Sequence, residues 1–406
     1  MKDFDLQEPQ RRPGSGWSAL DISDDAGFAA ALALNREILH GEGDSYSLRH
    51  DLEWMAQNRD RATIHVYGRF GDPALKGFAL LFRQGRPLPF RLGEMTILRI
   101  PLTRYELWSS PLLDGSKGCK DALVAATREF VHEMRNLAGP GDAISIEGLR
   151  TDSVLHALLN EDAELRDDFI VLPLDEAFEH QFISMPETFD AYLGQMSKRS
   201  RKSVQYSRRK LYRELDDDVK VVCYESVAAV DNFLDNAVEI SRKTYQWRLL
   251  KLGLRDRLAL VRNLTLAAER GWLRCYILYC RSAPVAFMIG YQCHGCYSYI
   301  DVGYDPDWAS WSVGSVLQYE VLADLYRRPD TPRLFDFSTG YGDHKARFGN
   351  FSRKEVNVLL LPNTVRNRVI VGAYRFTMAV SKLMVTSLDR YGLKMPLKRF
   401  MRRIAG

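Results

Sequence analysis

The apolar positions of the chain switch repeatedly between a helical period and a strand period. From about Trp17 to Arg59 the pattern reads as helical, with "DDAGFAAALALNREIL" placing Asp24 or Asp25 as a cap ahead of an apolar stripe. Strand-like runs follow in "RATIHVYGR", "KGFALLFRQ" and "MTILRI". The segment "GCKDALVAATREFVHEMRNL" predicts an amphipathic helix, "DAISIEGL" a strand, "SVLHALLN" a helix and "DFIVLPL" a strand. A comparable order then recurs: two helices in "AVDNFLDNAVEISRKTYQW" and "RDRLALVRNLTLAAERG", strands in "WLRCYILYC", "PVAFMIGYQC" and "CYSYIDVGY", a helix in "VGSVLQYEVLADLYRR", and strands in "RLFDFST" and "EVNVLLLP".

Setting "KGFALLF" against "PVAFMIG", and "GCKDALVAATREFV" against "GSVLQYEVLADLYR", brings the two hairpin-then-helix patterns into register. The expected architecture is therefore an α/β unit used twice. It divides into a tail over 1–15, a first unit over 16–180, a second over 181–362 and a basic segment over 363–406. The break falls in "LDEAFEHQFISMPETFD", where polarity is mixed and a proline intervenes.

A chain of 406 residues exceeds what one hydrophobic core usually serves, which agrees with two units. Its start, "MKDFDLQEPQRRPGSG", has no apolar core behind its charges, so neither a secretory signal nor an anchor is expected there and the predicted location is the cytoplasm. Arg375 and Lys382 interrupt the best candidate span, "VIVGAYRFTMAVSKLMV". Six cysteines without a signal segment imply reduced thiols. The "CHGC" spacing suggests zinc less than a hairpin turning at His294-Gly295, with Cys293 opposite Cys296, and no metal is expected.

Charge changes this picture at two places. From Asn363 onward ten basic residues face one acid, Asp389, although the whole chain is only +4. In "PLKRFMRRIAG" Leu397, Phe400, Met401 and Ile404 share one helical face and four cations the other, which predicts either a docked terminal helix or a helix lying on an anionic membrane surface. The second block, "KRSRKSVQYSRRKLYR", reads as a helix with one buried stripe, Val204, Leu211 and Leu215, and a cationic face suited to phosphate.

Two stretches carry candidate chemistry. In "ASWSVGSVLQYEVL", Ser312, Gly314 and Ser315 stand where a helix begins, a natural pyrophosphate cradle because the first amides have no intrahelical acceptor; an ordinary capped helix is the alternative. In "LFDFSTGYGDHKARFGN" a buried strand spills into Asp336, His344 and Lys345, gathering a carboxylate, an imidazole and an ammonium where a strand ends.

Residues Phe189 to Arg353, with these stretches in this order, resemble the acetyltransferase-like domain of bacterial cellulose-biosynthesis proteins of the CelD/BcsL type. These are members of the GNAT superfamily and relatives of the Fem peptidyltransferases, which also carry two such copies. The resemblance implies an α/β fold of tandem GNAT-like units with mixed sheets flanked by helices, and an enzyme that moves an acyl group from acyl-CoA, a cosubstrate and not a bound cofactor, to an amine. It places the pyrophosphate at Ser312, Gly314 and Ser315, where only the central glycine of the family's loop is kept. Lys345 retains one half of the relatives' Tyr-Lys pair, and His344 replaces the tyrosine. Asp336 or His344 would take the amine's proton, Lys345 or backbone amides would hold the oxyanion, and Tyr304 or Tyr341 would protonate the departing thiolate.

The acceptor suggested by the basic segments is an amine of a cell-envelope precursor, an amino sugar, amino lipid or sphingoid-type amine, met at the inner membrane surface. DNA is not an expected partner. Two alternatives remain open: a Fem-like aminoacyl-tRNA-dependent ligase gripping tRNA through "KRSRKSVQYSRRK", without the long coiled-coil insertion of several Fem enzymes, and a non-catalytic subunit of polysaccharide or lipid assembly. No Gly-x-Ser-x-Gly elbow, Walker loop or His-Glu-x-x-His helix is present.

Overall fold

Glycine-punctuated, β-branched runs pair into sheets, and the amphipathic segments between them cover those sheets, in a computed structural model that describes residues 16–40, 47–58, 60–70, 75–93, 95–114, 120–216, 218–244, 254, 256–340 and 342–390. The chain divides into two units. The first comprises 1–41, 59–177 and 356–406, and the second 42–58 and 178–355.

In the first unit, strands β1 (Gly16–Leu20), β2 (Ile64–Phe70), β3 (Gly77–Gly85), β6 (Thr103–Trp108) and β8 (Asp142–Arg150) lie in that order, followed by residues 356–362 of β16 (Phe351–Pro362). Short β7 (Leu112–Leu113) pairs with β3, and β9 (Phe169–Pro173) pairs with β16. The β6–β8 pair is parallel, and helix α3 (Lys120–Leu137) lies in the crossover between them, the connection such a pair requires. Helix α1 (Asp25–Leu39) begins at Asp24, whose side chain accepts from the Gly27 amide. The helical expectation fails at Trp17–Leu20: with Gly16 these residues pair with β2, and Trp17 packs on Phe130 while donating its indole N–H to the Ala126 carbonyl at 2.7 Å. Tertiary pairing outweighs the local period there.

Helices α4 (Val154–Glu161) and α5 (Ala163–Asp168) precede β9. Strand "MTILRI" forms, but as β5 (Met95–Ile100) in a separate hairpin with β4 (Leu88–Leu92). That hairpin packs on the long helix α12 (Val365–Arg390) through Phe90 and Tyr374, rings 5.5 Å apart. The sequence pattern "PLKRFMRRIAG", the tail over 1–15, Tyr341 and Gly118 lie outside the described residues.

The second unit holds α2 (Leu52–Asn58), α6 (Phe189–Gln195), α7 (Lys198–Glu214), α8 (Val230–Lys243), α9 (Arg257–Glu269), α10 (Val313–Arg327) and α11 (Asp343–Phe348). Its strands run β10 (Phe178–Ser184), β15 (Leu334–Asp336), β14 (Cys296–Tyr304), β13 (Ala283–Cys293), β12 (Cys275–Cys280) and β11 (Val219–Tyr224), with residues 351–355 of β16 beside β10. Only β14 and β15 run parallel in this set, and α10 lies in their crossover. His294 and Gly295, both at positive φ, turn the β13–β14 hairpin and set Cys293 opposite Cys296. Helix α7 buries Val204 and Leu211, as its spacing predicts. Mixed α/β sheets flanked by helices, in two units that each end an antiparallel run with one parallel pair, are the architecture of the chain.

Candidate functional site

The single parallel pair of the second unit is short. Cys296 lies beside Leu334, Tyr297 beside Phe335 and Ser298 beside Asp336; beyond these, β14 continues to Tyr304 paired with β13 alone. The strands therefore part after Ser298, and the parting opens a cavity of about 760 Å³. Phe287 and Met288 of β13, Tyr299, Val302, Gly303 and Tyr304 of β14, the start of α10 and residues of α11 line it. A space of this size suits a cofactor-sized ligand.

Helix α10 enters the wall by its amino end. Ser312 caps it in the left-handed region at φ 56°, makes no side-chain capping bond, and its carbonyl accepts the first backbone bonds from Ser315 and Val316. The amides of Val313 and Gly314 precede those bonds, so the dipole's positive end lies in the cavity wall. A β-carbon on Gly314 would meet Tyr304 at 3.5 Å, an ordinary contact, so the glycine leaves space without being sterically obligatory. Ser312, Gly314, Ser315, Tyr304 and His344 all line the cavity.

Asp336 and Lys345 are placed otherwise. Asp336 Oδ1 accepts from His180 Nε2 at 2.7 Å and from the Ser338 amide at 2.6 Å, and neither it nor Lys345 lines the cavity. Lys345 is buried and donates to the carbonyls of Ser338 and Thr339 at 3.0 and 3.1 Å. Ser338, itself at φ 58°, donates its hydroxyl to the Tyr299 carbonyl at 2.5 Å. Together these bonds tie the loop after β15 to the point where β14 diverges. They hold the base of α11, and so set where His344 stands. The side-chain partner of Asp336 is His180, from β10.

His344 Nε2 lies 3.0 Å from the Tyr299 hydroxyl. Partial burial, together with Lys345 and Arg347 nearby, lowers its pKa below the ordinary histidine value. The ring is therefore neutral at neutral pH and able to accept a proton. Burial keeps the Tyr299 phenol protonated.

Three lining residues escaped the sequence reading. Arg347, on α11, donates to Ser315 Oγ at 3.4 Å, adding a cation at the helix start. Its spacing of three from His344 on a helix was a usable signal. Tyr299 alternates with Tyr297 on a strand and was hidden among core aromatics. Gln318 is 3% exposed, lies one turn beyond Gly314, and its Nε2 has no hydrogen-bond partner among the described residues. A buried amide left unpaired costs about 1–3 kcal/mol, which a ligand atom in the cavity would offset.

Comparison with known proteins bears on the class. Residues 198–346, which contain the cavity's helix start and His344, match the family model described as acetyltransferase (GNAT) domain. This domain match supports an N-acyltransferase. Among solved structures, FemX is similar over 87% of this chain and 100% of its own, at 12% identity and a TM-score of 0.60. A conserved protein of unknown function from Bacteroides thetaiotaomicron is similar over 82% of this chain and 97% of its own, at 14% identity and a TM-score of 0.50. Both likenesses concern the fold. No curated protein matches the chain.

Proposed function

We propose that the protein transfers an acyl group from acyl-CoA to a primary amine of a cell-envelope precursor, an amino sugar, amino lipid or sphingoid-type amine, at the inner membrane surface. The observation that carries this reading is the cavity at the strand parting, where an uncapped helix start, Arg347 and a neutral His344 meet.

In this reading the pyrophosphate rests on the amides of Val313 and Gly314 with Ser315 and Arg347 beside it. His344 takes the proton of the acceptor ammonium, and the freed amine attacks the thioester carbonyl. The tetrahedral oxyanion is held by the Gln318 amide. The carbon–sulfur bond then breaks, Tyr304 gives its proton to the departing thiolate, and the second proton shed by the attacking nitrogen as it becomes an amide returns to Tyr304 through solvent. Asp336 and Lys345 act by positioning the loop that carries His344.

The test is thermal stabilisation of the purified protein by acetyl-, medium- and long-chain acyl-CoAs, with Gly314→Glu as control. Stabilisation by a defined range of chain lengths, lost in the variant, supports the reading; no response to any thioester refutes it. A second reading, aminoacyl transfer from tRNA, is favoured by the FemX-like fold and by the cationic face of α7, where Lys210 lies over Trp311 at 5.1 Å. It predicts tRNA binding with a steep salt slope.

A further inference from the structure

Helix α12 buries one side and leaves a large apolar stripe on the other. Asn367, Val371, Tyr374 and Ser381 are buried, against the β4–β5 hairpin and the first unit's core. At about 100° per residue, Val365, Val369, Phe376 and Leu383 fall on the opposite side. Their exposures are 79, 66, 72 and 69%. Apolar side chains this large, aligned over some five helical turns, are not the scattered exposed residues of an ordinary surface. The neighbouring strand β5 adds Met95, Ile97 and Leu98, each half exposed or more.

The charges that α12 itself places beside the stripe are of one sign. Arg368, Arg375 and Lys382 flank it on one side and Arg366 on the other, and no acid occurs in α12 before Asp389. Lys382 also reaches the exposed Glu176 at 3.1 Å. The hairpin contributes Arg91 and Arg99, against Glu94 in its sequence. An apolar stripe between cationic flanks fits the boundary of an anionic bilayer, where the stripe enters the acyl region and the flanks meet phosphate. A second copy of the same face would bring these cations against each other.

We propose that α12 is a membrane-docking helix, lying in the plane of an anionic lipid surface with Val365, Val369, Phe376 and Leu383 inserted. This deepens the membrane-surface part of the functional reading, but its readout is lipid partitioning, so failure of acyl transfer leaves it standing and its own failure leaves the cavity chemistry standing. No helix among the described residues is long and apolar enough to cross a membrane, so docking is in-plane.

The test is co-sedimentation of the full chain with vesicles of phosphatidylcholine alone or with about a third phosphatidylglycerol, at low and high salt. Binding to the anionic vesicles only, weakened by salt, is expected. Phe376→Asp and Leu383→Asp, at exposed positions, should each lower partitioning about tenfold or more with unchanged thermal unfolding. Val369→Ser serves as the milder variant should either fail to fold. Arg368→Glu with Arg375→Glu should weaken the anionic preference. Absence of anionic-vesicle binding overturns the proposal. So does binding that the α12 variants leave intact, which would assign it to the basic residues after Arg390 or to α7. A dimer in sedimentation velocity that Phe376→Asp dissociates overturns it in favour of a second copy.

Discussion

His180 stands between two carboxylates, and its removal tests how the second unit is held together. It is 3% exposed, with Nε2 2.7 Å from Asp336 and Nδ1 3.0 Å from Glu355. Burial alone would lower its pKa, but the bonds and charges of Asp336 and Glu355 outweigh that and raise it to about 9. Against an ordinary value near 6.5, such a rise is worth about 3 kcal/mol. Because the folded value lies above the unfolded one, this stability is complete below about pH 6.5 and is lost as pH rises through about 9.

His180→Gln keeps a hydrogen-bond donor but not the charge, and leaves Asp336 and Glu355 facing each other. Urea unfolding at pH 6.0, 7.5 and 9.5 should show the wild type losing about 3 kcal/mol across the series. The variant should start about 3 kcal/mol lower at pH 6.0 and lose much less. Parallel pH dependence in the two proteins would refute the argument, since the imidazolium would then contribute nothing that glutamine cannot. A further consequence concerns the site: Asp336 also fixes Ser338, so the variant should disturb kcat more than donor affinity.

The remaining predictions concern the cavity. His344→Gln should lower kcat by about 10²–10⁴ without loss of stability. In the wild type kcat should fall on acidification through a pKa below the ordinary histidine value, because the base must be unprotonated, and the variant should lack that limb. Gly314→Ala should bind donor nearly normally, given the 3.5 Å contact, whereas Gly314→Glu places a carboxylate at the anion site and should abolish binding, as read by calorimetry. Gln318→Leu should leave thermal stability equal or higher, since it removes an unpaired buried amide, and lower kcat about 10²-fold or more; unchanged turnover would show the amide is idle.

Local pattern and local chemistry were legible from residues close in the chain. The strand "CYSYIDVGY" and the helix "VGSVLQYEVLADLYRR" both formed as read, because runs of β-branched and aromatic residues and a helical apolar period are signals carried by neighbouring residues. The helix start at Ser312–Ser315 was likewise visible, whereas the short helix Asp343–Phe348 that carries His344 was not read from the sequence, its six residues being too few for a helical period to show. The failures were of long range. Residues 16–20 joined a strand because β2 lies beside them, which no local period records. Asp336 and Lys345 looked catalytic because the sequence places them near His344. The fold turns them away from the cavity: one meets His180, 156 residues earlier, and the other the loop's own carbonyls. Gln318 reads as a polar residue on an apolar helix until the parting of β14 from β15 makes that face a cavity wall. Sequence determined the elements and which chemistry was available; the tertiary structure decided which groups share a space, because hydrogen bonds and burial act across distances in the chain that periodicity cannot span.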